Sequence, residues 1–141
     1  ELLPDDKDAA AVAGAVRTLA ELLSETPGWT PPDLSGVEVV VQPHCHHHAV
    51  LGWSADADLL AATGATVHRL PGCCGLAGNF GVEIGHYDVS VGVAEQHLLP
   101  ALDTAPDAIV LADGFSCRTQ VADLRGRPAL HLGQLLDPDA S

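Results

Sequence analysis

The chain has 141 residues, 47% of them apolar, with 14 Gly and 10 Pro, the size and make-up of one globular domain and not of a disordered segment. Nineteen acidic against six basic residues give a formal charge of −13, a field that repels a nucleic-acid backbone and an anionic membrane surface alike. No apolar run approaches the roughly 20 residues of a spanning helix, no signal peptide is visible, and there is no Met, so the chain reads as a piece cut or processed from a longer protein.

Asp5, Asp6 and Asp8 open a first helix. Its Val12, Val16, Leu19 and Leu23 recur at helical spacing and form one apolar stripe. Thr26 to Gly36, with Pro27, Pro31 and Pro32, is a linker. Residues 1–36 are thus helix and linker, and 37–137 are the core of a single domain. Val37 to Gln42 is a buried strand that Pro43 ends. A short helix runs from about His46 to Leu51, and another starts at Ser54 and Asp56 and closes at Gly64. Thr66 to Leu70 is the second strand. A long helix spans Tyr87 to Leu99, with Pro100 as its stop. Ala108 to Ala112 is the third strand, Ser116 to Leu124 a helix, and Ala129 to Leu132 a weak fourth strand before a final turn at Leu135 and Leu136. Strands alternating with helices predict an α/β fold: a small, mostly parallel sheet of about four strands with helices on both faces. Aromatic residues are only 4%, so Val, Leu and Ala must fill the core.

Four cysteines carry the chemistry. Cys45 stands in His44-Cys45-His46-His47-His48, Cys73 and Cys74 in Gly72-Cys73-Cys74-Gly75, and Cys117 in Gly114-Phe115-Ser116-Cys117-Arg118. Each segment follows a predicted strand, and in a parallel sheet such loops share one edge, where ligands collect. Thiolates gathered there are the layout of a zinc or iron–sulfur site. Two disulfides are the alternative for four cysteines in a secreted chain. The crowding histidines and the intracellular character of α/β enzymes argue instead for a cytoplasmic protein with free thiols. Glycines on either side of the double Cys permit a sharp turn and close approach of a bound group. Cys117, near a helix start, is placed to be a thiolate, and Arg118 to stabilise an anionic cluster or hold a carboxylate. The ordinary alternatives are buried, inert thiols and a solvated arginine. Not all of the histidines can face one centre, so most are hydrogen-bond donors around it or exposed. Gly75, Gly78 and Gly81 do not have the spacing of a nucleotide-binding loop.

The order Cys45, Cys73-Cys74-Gly75, Cys117 resembles the cysteine-rich CCG domain. That domain occurs in heterodisulfide reductase and in the iron–sulfur subunits of glycolate oxidase and anaerobic glycerol-3-phosphate dehydrogenase. His44-Cys45-His46, the run Gly72 to Gly81, His86-Tyr87-Asp88 and Gly114 to Arg118 are closer still to the C-terminal end of FAD-linked oxidases of the D-lactate and D-2-hydroxyglutarate dehydrogenase type. The likeness spans about residues 37–137, and the opening Glu1-Leu2-Leu3-Pro4 is similar to the interior of such a protein. It implies an iron–sulfur electron-transfer module held by Cys45, Cys73, Cys74 and Cys117, with FAD on another domain of the parent. The implied partners are the parent's FAD-binding and ferredoxin-like domains and an electron acceptor. Family members with a noncubane 4Fe–4S cluster end in Cys-x-x-Cys, whereas Gly114 takes the first of those positions here. Four thiols then suit an ordinary cluster, a 2Fe–2S centre or zinc, and His44, His46 and Asp113 are candidates for a further ligand. A structural zinc domain that docks a partner, or a thiol/disulfide-acting site of the heterodisulfide reductase kind, are the other functions these residues allow.

Overall fold

The computed structural model describes residues 3–137; Glu1 and Leu2, the first half of the Glu1-Leu2-Leu3-Pro4 likeness, lie outside the described residues. Two short helices come first, α1 at Lys7–Ala15 and α2 at Leu19–Glu25. The expected single apolar stripe is therefore broken. Thr18 and Glu21 form a reciprocal capping box, in which each side chain bonds the other's backbone N–H and fixes a fresh helix start. Val12 and Val16 consequently stay exposed, while Ala20 on α2 is buried.

Three parallel strands follow, β1 at Glu38–Val41, β2 at Thr66–Arg69 and β3 at Ile109–Leu111, in the order β2-β1-β3. Helices α3 (Cys45–Val50) and α4 (Ser54–Ala62) link β1 to β2, and α5 (Tyr87–Thr104) links β2 to β3. After β3 come α6 (Phe115–Arg125) and α7 (Leu132–Leu135). The expected fourth strand at Ala129–Leu132 shrinks to one bridge, Leu111 to Leu130. Leu130 makes both ladder bonds, its N–H to Val110 O and its carbonyl from Ala112 N, each at 2.8 Å. Pro128 has no N–H to extend the ladder, and His131 already caps α7 together with Gln134.

Helix α5 runs through Pro100 instead of stopping there. Pro in a helix interior costs about 3 kcal/mol, but stopping at Leu99 would forfeit Leu102, which is 2% exposed, a burial of about 1.5–3 kcal/mol. Arg127 reinforces the far end by donating to the carbonyls of Leu102, Ala105 and Ala108.

Strand alternation sorts the core into two layers. Val40, Val110 and Ala112 pack with Ala94, Leu98 and Leu102 of α5 and Val121 of α6. Val39, Val41 and Leu111 pack with Ala20 of α2, Leu59 and Leu60 of α4, and Leu132 and Leu135 of α7. Both faces are covered, as parallel sheets require. Among the described residues, no helix is long and apolar enough to cross a membrane.

Candidate metal centre at the sheet edge

Because β1 is central, the chain leaves it toward β2 on one side and returns to β3 on the other. The carboxyl end of β1 is thus the topological switch point, where α/β sheets bind ligands. All four cysteines lie on the loops and helix starts that leave β1, β2 and β3 at this edge, and all are free.

The β1 loop turns at Pro43 and enters α3, whose N-cap is His44: its Nδ1 accepts from His47 N at 3.3 Å. Cys45 is therefore the first helical residue, and its exposed thiol sits 3.9 Å, sulfur to sulfur, from Cys73 on the β2 loop. The two loops are stapled by buried Gln42, whose Nε2 donates to the Gly72 carbonyl at 3.2 Å.

The double Cys turns on Gly75, at φ +97°. A Cβ there would overlap the Ser90 carbonyl oxygen on α5, so only Gly fits. The turned backbone aims its N–H groups at the sulfurs. Gly75 N donates to Cys73 Sγ at 3.4 Å, and the Leu76 and Ala77 N–H groups bond the Cys74 sulfur. Ala77 itself is held at φ +48°, a strained conformation for a residue with a side chain. Cys117 lies in the first turn of α6, buried like Cys74 and hydrogen-bonded to it.

The electrostatics divide the thiols. The Cys117 thiol, with the Leu76 and Ala77 N–H groups, pulls Cys74 down to about 6 against the opposing effect of burial. Cys117 is pushed far up, by its bond to Cys74 first, then by burial and the neighbouring thiols. Burial also raises Cys73. Between the two buried thiols, ionisation is thus favoured at Cys74 and opposed at Cys117, chiefly through the bond they share. Arg118 does not reach toward the thiols as a free cation: its guanidinium donates to the carbonyls of Ala112 and Asp113 at 2.9 and 2.7 Å and locks the β3–α6 turn.

The three further ligand candidates are placed differently. His44 reaches the thiol side: a Cβ built on Gly114 would lie 2.5 Å from its Cδ2 and 3.0 Å from Cys117 Sγ. Its Nδ1 lone pair is taken by the N-cap bond, so a neutral ring carries its proton on Nε2 and acts there as a donor. His46 and Asp113 line a cavity of about 280 Å³ with Thr18, Leu51 and His131. Asp113 accepts from Leu132 N at 2.7 Å.

That cavity borders a constellation the sequence did not disclose. His47, Asp56 and Asp113 bring one ligand atom each within 4.8 Å of one another. Asp56 had signalled only a helix start, and His47 was one of four neighbouring histidines. What joins them is the packing of α3 and α4 beside the end of β3, a non-local fact.

No protein-family model matches the chain. Part of it is similar to D-2-hydroxyglutarate dehydrogenases. It is 35% identical to that of Escherichia coli (strain K12) over 85 residues, which are 60% of this chain and 8% of the relative. Identity is 40% to the Pantoea ananatis protein over 65 residues, 46% of this chain and 6% of the relative. For the Pseudomonas putida protein it is 38% over 65 residues, with the same shares. The chain therefore matches under a tenth of the length of these relatives.

Proposed function

We propose that the chain is the iron–sulfur electron-transfer segment of an FAD-linked 2-hydroxy-acid oxidoreductase, with Cys45, Cys73, Cys74 and Cys117 as the ligands. The observation that carries this reading is the convergence of four free thiols from three strand ends. Two metal bonds of about 2.3 Å at a tetrahedral angle set sulfurs about 3.8 Å apart, which the 3.9 Å between Cys45 and Cys73 already matches.

The donor set fits a bound centre in charge as well as in spacing. Four neighbouring thiols cannot all ionise without a cation among them, as the raised Cys73 and Cys117 testify. A metal would release that repulsion, and the N–H groups of Gly75, Leu76 and Ala77 are already turned toward the sulfurs of Cys73 and Cys74. The room a fifth thiol at position 114 would need is filled by the His44 ring, so a four-thiolate centre suits this chain better than a noncubane one. Nε2–H of His44 would donate toward the sulfurs, the role of a ligand-supporting hydrogen bond. When bound, such a centre takes up and releases single electrons.

Oxidising a 2-hydroxy acid to the 2-oxo acid releases two electrons and two protons. The flavin for that step belongs to another domain of the parent, and this segment would carry electrons onward to an acceptor in the cytoplasm. The partial likeness to D-2-hydroxyglutarate dehydrogenases supports this assignment. Phe115, two residues before Cys117, is 79% exposed, and Val82 and Ile84 after the double-Cys loop are exposed too. Such apolar groups suit a face covered by the FAD-binding and ferredoxin-like parts of the parent.

A structural zinc site with four cysteine ligands is the second reading, because the same 3.9 Å spacing serves zinc equally well. Purification without oxygen, followed by counts of iron, acid-labile sulfide and zinc, separates the two. Iron and sulfide with a paramagnetic signal on one-electron reduction support electron transfer. One zinc per chain and no iron supports the scaffold.

A further inference from the structure

We propose that His47, Asp56 and Asp113 form a second cation site, for a hard or borderline divalent metal ion, on the face of the sheet edge that carries α4 and α7.

Each ligand comes from a different element: His47 from α3, Asp56 from the first turn of α4, and Asp113 from the residues after β3. Their ligand atoms lie within 4.8 Å of one another. Bonds of about 2.0–2.2 Å allow two ligands to stand at most about 4.4 Å apart across an ion. Three ligands spread evenly round an ion stand about 3.5–3.8 Å apart, which the 3.6 Å between His47 and Asp56 already meets, so Asp113 has to close by at most about 1 Å.

One polar atom of this cluster is left without a partner. Nε2 of His47 is shielded from solvent and has no hydrogen-bond partner. Its approach to Asp56 Oδ2, 3.6 Å, is too long for one. The Asp56 side chain is only 6% exposed and faces that histidine and a second carboxylate. Buried charges of this kind are ordinarily paired or bound to a metal. Burial pushes the Asp56 carboxyl up and the nearby Asp113 adds to this, against the opposing pull of His47. Asp113, by contrast, is already oriented: its Oδ1 accepts from Leu132 N at 2.7 Å, the outer hydrogen bond that metal-binding carboxylates commonly carry.

The site is also accessible. The cavity of about 280 Å³ opens beside all three groups. His131 at its rim holds Nε2 3.7 Å from Asp113 Oδ1 and can serve as a fourth ligand. Three protein ligands with a cavity in front leave positions for water or a small oxygen-bearing ligand, the arrangement of an open rather than a closed metal site. One imidazole with two carboxylates suits Mn²⁺, Fe²⁺ or Zn²⁺, whereas the thiols across the sheet are soft ligands.

Mn²⁺ is the probe, because it prefers oxygen and nitrogen and binds thiolates poorly. The purified protein is titrated with Mn²⁺ and the signal of the free ion followed by electron paramagnetic resonance. One saturable ion per chain is expected at this site. Asp56→Asn and Asp113→Asn, both isosteric, should each weaken binding at least tenfold while circular dichroism reports an unchanged fold. His47→Gln replaces either variant that does not fold. Cys74→Ser should leave Mn²⁺ binding intact, so failure of the thiol centre and failure of this site are told apart. The proposal is overturned by absence of saturable binding, by binding indifferent to all three changes, or by binding lost with Cys74.

Discussion

Two regions share the carboxyl edge of this sheet, and they differ in nearly every property that selects a ligand. Toward α5 and α6 the donors are four sulfurs, two of them buried, ringed by backbone N–H groups. Toward α4 and α7 they are an imidazole and two carboxylates beside an open cavity. What separates them is the pleat. Ala112 packs into the α5/α6 layer and Leu111 into the other, so Asp113 follows Leu111 to the carboxylate side while Cys117, on the next helix, returns to the sulfur side. One residue of register decides which chemistry a side chain joins.

The sharpest way to break the comparison is Cys74→Ser. A hydroxyl replaces the sulfur that accepts from Leu76, Ala77 and Cys117, and oxygen is a poor soft-metal ligand. Metal at the thiol side should fall by more than about 100-fold, beyond what loss of a supporting hydrogen bond costs. Under the proposed function, flavin bleaching by substrate in the intact parent should survive and reoxidation by the acceptor should not. Equal reoxidation in the variant would remove this segment from the electron path.

Gly75→Ala should be nearly as damaging. A positive φ costs a residue with Cβ about 1–2 kcal/mol, and here the methyl also meets the Ser90 carbonyl and the Gln120 side chain. Denaturant unfolding should show a loss of about 2 kcal/mol or more, with metal lost from the thiol side alone. A neutral substitution would mean that the double-Cys loop is not held as described.

Much of the sulfur side was legible in the sequence because its information is local. Each Cys follows a run of β-branched residues, and the strand ends of a parallel sheet meet at one edge whatever the strand order. Gly75 beside the double Cys signalled a sharp turn. The other side was hidden because His47, Asp56 and Asp113 are separated by two helices and a strand, and only packing joins them. Two element boundaries were misplaced where a stronger signal competed. The apolar spacing of Val12, Val16, Leu19 and Leu23 masked the Thr18–Glu21 capping box, and Pro100 was outweighed by the buried Leu99 and Leu102 on either side of it.

The pH response should distinguish the two regions in metal-free protein. Cys74 is depressed to about 6 in the folded state, against about 8.5 for a free thiol. Its contribution is full above the unfolded value and is lost as pH falls through about 6. Stability should therefore climb between about pH 6 and 8.5 and then turn down, because the raised Cys73 and Cys117 resist ionising while the unfolded thiols do not. Cys74→Ala should abolish the climb; a climb that survives it belongs to another group.

Gly114→Cys tests whether the His44 ring closes the fifth-thiol position. The added Cβ would lie 2.5 Å from His44 Cδ2, and overpacking of this kind costs about 1–3 kcal/mol. Adding His44→Ala should recover much of that loss, so the two changes should be strongly non-additive in denaturant unfolding. Additive effects would show that the ring is not the obstacle.

The smallest expected change has a sign that depends on metal. Asp56 is raised above the ordinary carboxyl value of 3.8, chiefly by burial. The folded state therefore holds that proton more tightly than the unfolded chain. Stability is lost as pH rises through 3.8 toward the folded value, and the loss persists at neutral pH. Asp56→Asn removes the ionisable group and keeps the shape, so it should stabilise the metal-free protein at pH 7 by an amount within about 1 kcal/mol. At about pH 3, where the carboxyl is protonated in both states, the gain should vanish. With Mn²⁺ present the order should reverse, because an ion that binds only the folded parent stabilises it by mass action and the variant forgoes that gain. Thermal melts of both proteins at the two pH values, with and without Mn²⁺, read all four cases. A variant less stable than the parent at pH 7 without metal would mean that the carboxylate is already well paired in the folded protein.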